Sequence, residues 1–403
     1  MKLASCKKAY SRDTQRAVPP EETLKRVKAL LPAAGITRVA DITSLDRIGI
    51  PVFSSIRPTA RRGAVSVYNG KGATPAEARV SAMMEGIERF SAEIAREDLL
   101  VERYSVLSVS ENVLDPASLI LPKSVDCDAP VAWTRGEDLI SGEDILVPAS
   151  AVYHPLPVLY PQLFRTTTNG LASGNTLEEA VFHALMELIE RDAWSLAEAS
   201  RDTGPALTEV TDELALSLLK KFGDAGVEVT LKDITSDIGI PTVAAVADDV
   251  LLKDPSLLTI GMGSHTSARI AVLRALTEVA QSRLTQIHGA REDTPMADVR
   301  KKMGYERTKR MNRYWFESQE TRPFPAMHSF DSDDFLDDIT LATEKLRDAG
   351  LDRIVAVDLT RESMGVPVVR VIVPGLEVYA MDQDRAGRRC DAARHRRLPR
   401  PKP

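Results

Sequence analysis

Apolar residues along the chain follow two periods, one helical and one extended, and the alternation between them repeats. From Pro75 to about residue 95, Ala, Met and Ile recur at helical spacing behind Thr74-Pro75, an N-cap followed by proline at the first helical position. A second helix is predicted from Thr176, where Glu179 three residues on completes a capping box, and a third from Ser267 to Ile287. Extended segments come in pairs. Ala34-Gly35 leads to Asp41-Ile-Thr43 and Gly49-Ile-Pro51, Ala225-Gly226 to Asp233-Ile-Thr235 and Gly239-Ile-Pro241, and Ala349-Gly350 to Asp358-Leu-Thr360 and Gly365-Val-Pro367. Each reads as a helix end at glycine, a short β-branched strand, a polar turn, and a second strand opening at proline. The predicted class is α+β: one large body of repeated sheet-plus-helix units with pseudo-threefold internal repeats. Loops are expected over Asp115–Pro130, Pro155–Pro161 and the Lys/Arg-rich stretch 291–325, and a mobile tail after Arg388.

The repeats carry a polar pattern as well. Residues 70–90 and 172–192 match without a gap at 10 of 21 positions, and a weaker third copy keeps Ala271, Ala275 and Glu278 in register while replacing the last glutamate by Gln281. At 100° per residue, Ser81, Glu85, Glu88 and Arg89 form one stripe, as do His183, Glu187, Glu190 and Arg191, and Arg274, Glu278, Gln281 and Ser282. On a single helix such a stripe is usually a solvated face with weak ion pairs. A solvated face tolerates most polar residues, however, so its recurrence in register argues for a site. Stripes converging on a pseudo-threefold axis bring several carboxylates together, an arrangement that calls for a cation between them. Oxygen donors suit Mg²⁺, which commonly works with substrate phosphates.

Composition narrows the chemistry. The chain has 403 residues, 43% hydrophobic and 27% charged, with 52 Lys plus Arg against 58 Asp plus Glu. A formal charge of −6 gives no general attraction to nucleic acid or to an anionic membrane. No stretch approaches the apolar length of a membrane span, and the start of the chain lacks the apolar core of a signal peptide, so a cytoplasmic protein is expected. Cys6, Cys127 and Cys390 are far apart and the six histidines are scattered, which argues against zinc or a disulfide framework. No G-x-x-x-x-G-K-[ST] loop occurs; Gly70-Lys71-Gly72 and Gly261-Met262-Gly263 read as plain turns. The basic segment Lys7–Arg16 reads either as an arm that closes over an anion or as a solvated arm.

These residues resemble the YcaO family of ATP-dependent amide-modifying enzymes. S-x-x-x-E-x-x-E-R at Ser81, Glu85, Glu88 and Arg89 is similar to the family's first nucleotide motif, E-x-x-E-R at Glu187, Glu190 and Arg191 to its second, and E-x-x-Q at Glu278 and Gln281 to its third. The resemblance implies ATP and Mg²⁺ as cofactors. It assigns Glu85, Glu187, Glu190 and Glu278 to the metal, and Lys8, Thr14, Ser81, Glu88, Arg89, Asn175, Arg191, Arg274 and Gln281 to ATP. It also implies residues 1–60 as an N-terminal segment that holds the first strand pair and reaches the ATP site, 61–388 as the family domain, and 389–403 as a flexible Arg/Pro-rich tail.

Residues 34–58, 68–74 and 373–382 look most like the archaeal branch of that family linked to thioamidation of methyl-coenzyme M reductase, an enzyme of methanogenesis. That branch commonly has G-T-H-R where Asp13-Thr14-Gln15-Arg16 stands. The likeness implies formation of a thioglycine in the methyl-coenzyme M reductase alpha subunit, with external sulfide or a sulfur donor, a TfuA-like delivery partner, and a homodimer as one possible assembly. No covalent nucleophile of the protein is required, in keeping with the absence of a Ser/His/Asp or Cys/His motif. The terminal Pro399-Arg-Pro401-Lys-Pro403 is similar to the end of the azoline-forming cyclodehydratases, and reads equally as an unstructured extension. Azoline formation on a ribosomal peptide, and a non-catalytic ATP-binding scaffold for a sulfur-transfer partner, are the rival readings.

Overall fold

A computed structural model describes residues 1–95, 98–290 and 296–397. Each of the three predicted strand pairs is an antiparallel hairpin: Arg38–Asp41 with Val52–Ile56, Val227–Asp233 with Thr242–Asp249, and Val355–Asp358 with Val368–Ile372. Gly35, Gly226 and Gly350, just ahead of them, adopt φ of +74°, +64° and +78°, the left-handed turn that releases the chain from a preceding helix or turn into a strand.

A third strand joins each hairpin at its edge. Strand β1 (Val67–Lys71) pairs with Val52–Ile56, β2 (Leu171–Ser173) with Val368–Ile372, and β3 (Thr259–Ser264) with Thr242–Asp249. The resulting sheets have three, six and five strands, and β1, β2 and β3 each lie at the end of the strand order. Helices α1 (Pro75–Ser91), α2 (Leu177–Ser200) and α3 (Ala268–His288) follow these three edge strands directly. The predicted α+β body of repeated sheet-plus-helix units is the observed architecture.

Each helix buries one face on its sheet. Ala78, Ala82 and Ile87 of α1, Phe182, Leu185 and Ile189 of α2, and Ala271, Leu276 and Val279 of α3 are wholly inaccessible. Burying a side chain of the larger size contributes about 1.5–3 kcal/mol. The strands approach these helices closely enough to require glycine: a Cβ on Gly70 would lie 1.9 Å from the Ala82 nitrogen, and one on Gly261 2.2 Å from that of Val279. This close approach brings the polar edge of each helix against the open edge of a strand. Among the described residues no helix is long and apolar enough to cross a membrane.

Several expectations need correction. Helix α1 ends at Ser91, short of residue 95. Thr74 makes a complete capping box with Glu77, but at Thr176 only half of one forms: its hydroxyl accepts the Glu179 N–H at 3.2 Å, while the Glu179 carboxylate accepts from Ala17 N and Asn175 Nδ2. The stretch 291–325, expected as loop, contains helices Met296–Met303, Tyr305–Met311 and Arg313–Phe316 and the strand Thr321–Pro323, anchored by the buried Trp315. The chain after Arg388 is a helix through Arg397. Cys390 is buried there, and Arg389 bonds Asp192 at 2.8 and 2.9 Å and Asp237 at 2.6 Å, so composition misread an ordered helix as a loose tail. The terminal prolines lie outside the described residues.

Candidate active site

The three polar stripes meet. A cavity of about 920 Å³ is lined by Ser81, Glu85, Glu88 and Arg89 of α1, His183, Glu187, Glu190 and Arg191 of α2, and Arg274, Glu278, Gln281 and Ser282 of α3. Thr14 and Asn175 complete the set of predicted residues that reach it. Lys8 does not. Its amine bonds Asp338, Gln15 Oε1 at 2.7 Å and the Ser332 carbonyl at 2.8 Å, so a carboxylate distant in sequence, on the helix Phe335–Asp348, holds it in the wall behind the arm.

Backbone edges and cations divide the carboxylates among them. Glu88 accepts the Ser173 N–H of β2 at 2.9 Å and its hydroxyl at 3.2 Å, and Glu190 accepts the Ser264 N–H of β3 at 3.2 Å. Gln281 donates to the Asn69 carbonyl of β1. Glu85 lies 3.2 Å from Arg89, Glu190 3.7 Å from Arg191, and Glu278 pairs with Lys71 while accepting the Met262 N–H at 3.2 Å.

These environments move the proton affinities apart. Burial, with Glu85 and Glu187 nearby, pushes Glu88 up to about 8 despite Arg89. Burial and the charge of Glu278 likewise raise Glu190. Burial opposes ionisation of Glu278 too, yet Lys71 and Arg191 outweigh it and hold that carboxyl below its usual range. Burial, reinforced by Arg16 and Arg274, keeps His183 neutral, its pKa far below 6.5.

Two tests bear on a nucleotide and its metal. Arg89 Nη1, Arg191 Nε, Arg274 Nε and Thr14 Oγ1 are buried in side chains that line the cavity and have no hydrogen-bond partner among the described residues. Unpaired buried guanidinium donors fit a polyanion such as a triphosphate. Among the described residues no three His, Cys, Asp or Glu side chains are grouped closely enough to hold a metal ion as they stand. The donor chemistry nevertheless fits Mg²⁺: Glu85, Glu187, Glu190 and Glu278 offer only hard oxygens, and each lies near one of the cations Arg89, Arg191 and Lys71.

Residues not anticipated from sequence also line the cavity. Asp13, pushed up to about 7 by burial and Glu77, accepts the Ala73 N–H at 2.8 Å. Arg16 contacts His183 and lies 3.7 Å from Glu179. Lys71 was legible only by repeat position, since it aligns with Ser173 and Ser264. Asn175 is present but fully engaged: its amide oxygen accepts from Thr23 and Arg26, and its nitrogen donates to Glu179.

Comparison with known proteins places this geometry. Residues 69–377 match the family model described as YcaO cyclodehydratase, ATP- and Mg²⁺-binding. An uncharacterized protein of Methanothermobacter thermautotrophicus is 54% identical over 381 residues, covering 93% of this chain and 98% of its own length. A Rhizobium leguminosarum bv. trifolii protein from the tfuA 3′ region is 35% identical over 376 residues, covering 90% of this chain and 89% of its own length. The solved structure of YcaO from Methanopyrus kandleri bound with AMPPCP and Mg²⁺ matches with a TM-score of 0.81 at 32% identity, covering 95% of this chain and 98% of that one.

Proposed function

The chain belongs to the YcaO family, and from that premise we propose that it uses ATP and Mg²⁺ to activate a polypeptide backbone amide and exchange its oxygen for sulfur, at a glycine of methyl-coenzyme M reductase. The observation that carries the ATP-dependent part is the convergence of three acidic stripes and three unpaired guanidinium donors on one cavity. Relatedness to a protein from a tfuA 3′ region supports sulfur chemistry and a TfuA-like delivery partner.

An unactivated amide carbonyl is a poor electrophile, and its oxygen does not leave as hydroxide near neutral pH. Hydrosulfide, free or released by a delivery partner, adds to the carbonyl carbon; the resulting oxyanion attacks the γ-phosphorus of ATP, expelling ADP; the C–O bond then breaks, phosphate leaves with that oxygen, and the S–H proton is lost so that C=S remains. Glu85, Glu187, Glu190 and Glu278 would hold Mg²⁺, which neutralises charge on the transferring phosphoryl group. Arg89, Arg191 and Arg274 would bind phosphate oxygens through donors otherwise unpaired, and Thr14 and Ser81 add hydroxyls to the same cavity. Neutral His183 donates or accepts a hydrogen bond without adding charge.

Reconstitution tests the reading. With ATP, Mg²⁺, sulfide and a glycine-containing substrate, the product should be about 16 Da heavier, with phosphate released in step. A product about 18 Da lighter would identify azoline formation, as the cyclodehydratase description of the family model favours. ATP binding without any product would identify a scaffold. Glu85→Ala and Glu187→Ala should each abolish Mg²⁺-dependent nucleotide binding in calorimetry while the fold persists.

A further inference from the structure

Past Arg191 the cavity changes character. The Arg191 guanidinium sits over the Trp194 ring, 5.3 Å from its centroid, and one turn further along α2 stands Glu198. Its carboxylate accepts Trp194 Nε1 at 3.2 Å, Trp315 Nε1 at 3.0 Å and the Tyr314 hydroxyl at 2.6 Å. With both oxygens engaged, Glu198 is a clamp that fixes the aromatic rings. Ile260 and Phe316 complete the wall as partly exposed apolar surface. Two hydroxyls also belong to this end, those of Thr259 and Thr308, which are 6% and 2% exposed; both Oγ1 atoms are buried with no hydrogen-bond partner among the described residues.

We propose that this aromatic end is the subsite for the polypeptide acceptor, and that it selects an extended neutral segment with an apolar side chain beside the reacting glycine. The inference rests on the amide-activating reading above. A backbone amide carries no charge, and the carboxylates of the nucleotide end are already engaged by Ser173, Ser264 and Met262 N–H groups or by cations. It gains from a dry wall with a few groups able to satisfy both its N–H and its C=O. A hydroxyl does both, and two buried ones without partners line this end. Arg191 borders both ends, so a carbonyl seated against the aromatic wall is next to the phosphate oxygens that Arg191 would bind. Arg300 also lines the cavity, but Glu198 already answers its charge, so an aspartate beside the glycine would add a second carboxylate to this end and be rejected.

The test uses the full chain, with AMPPCP and Mg²⁺ as the probe of nucleotide binding and, in separate turnover assays, ATP, Mg²⁺ and sulfide with two glycine peptides as acceptors, one flanked by valine and one by aspartate. Phe316→Ala and Thr308→Val should leave AMPPCP affinity unchanged in calorimetry, raise KM for the valine peptide at least about tenfold, and leave kcat within about twofold. Phe316→Leu should restore KM, and thermal melting of all variants should report intact folding. Equal KM in wild type and variants, or equal use of both peptides by the wild type, overturns the subsite while leaving the proposed reaction standing. Loss of AMPPCP affinity in Phe316→Ala would put the nucleoside at this end and also overturn it. Failure of the wild type to modify any glycine peptide with ATP, Mg²⁺ and sulfide, although AMPPCP binds in calorimetry, would overturn the reaction and the subsite together.

Discussion

At the last acidic position of their stripes, α1 and α2 carry glutamates, and each closes the open edge of the strand that leads into the next helix: Glu88 takes the Ser173 N–H of β2, and Glu190 the Ser264 N–H of β3. At the same position α3 carries Gln281, which faces the Asn69 carbonyl of β1 and donates to it. The helices thereby cap one another's edge strands around a closed ring. Where the backbone offers a donor, glutamate stands; where it offers an acceptor, the amide of Gln281 donates, which an ionised carboxylate cannot do. The departure of the third repeat from E-x-x-E therefore follows from hydrogen-bond polarity, and the second acidic position of each motif has structural work in addition to any contact with ligand.

Conservative exchanges split these two duties. Glu190→Gln keeps an acceptor for Ser264 and removes the charge, so substrate-dependent phosphate release should fall about 10²–10³-fold while thermal melting hardly moves. The ring is also held from outside through Asp192, the neighbour of Arg191. Arg389→Ala leaves that wholly buried carboxylate without its cation and should cost about 3 kcal/mol in urea unfolding. Gln281→Glu is the converse of the first exchange: it sets a carboxylate against the Asn69 carbonyl and should cost about 1–3 kcal/mol in the same measurement. Unchanged stability in that variant would break the polarity argument. The remaining effect concerns protons. With its folded pKa raised to about 8 from an ordinary 4.5, Glu88 favours the folded state while protonated, so stability of the ligand-free protein is lost as pH rises from 4.5 through about 8. Glu88→Gln should flatten that decline in melting curves taken between pH 6 and 9.

The three hairpins and three long helices were legible because local rules determine them: glycine releasing the turn, β-branched runs, Thr74 at a cap, and apolar residues at helical spacing. The stripes were legible for the same reason, since helical spacing alone puts Glu85, Glu88 and Arg89 on one face. Long-range partners decided the rest. The short helices between residues 296 and 316 are rich in Lys and Arg, and what orders them is Trp315 and Tyr314 meeting Glu198 of α2, more than a hundred residues earlier. The helix Arg388–Arg397 has one buried cysteine and a salt bridge to Asp192 in place of an apolar stripe, so no periodicity announces it. Lys8 was misplaced because residue type cannot say which carboxylate an amine will meet, and Asp338 lies 330 residues away. Lys71 was taken for part of a turn because its role depends on Glu278 of another repeat.

Helix α2 is fastened at its start and near its middle by the most distant parts of the chain. The Ala4 N–H reaches Glu178 across 174 residues, and Arg389 reaches Asp192 across 197. Closing loops of that length precedes any gain from the contacts they bring, so hairpins and helices form first and the seating of α2 comes late. Two of the cavity's four carboxylates assigned to the metal, Glu187 and Glu190, travel on that helix. A half-folded chain therefore has its hairpins without the assembled carboxylate cluster, which is complete only once the first and last described segments have both docked.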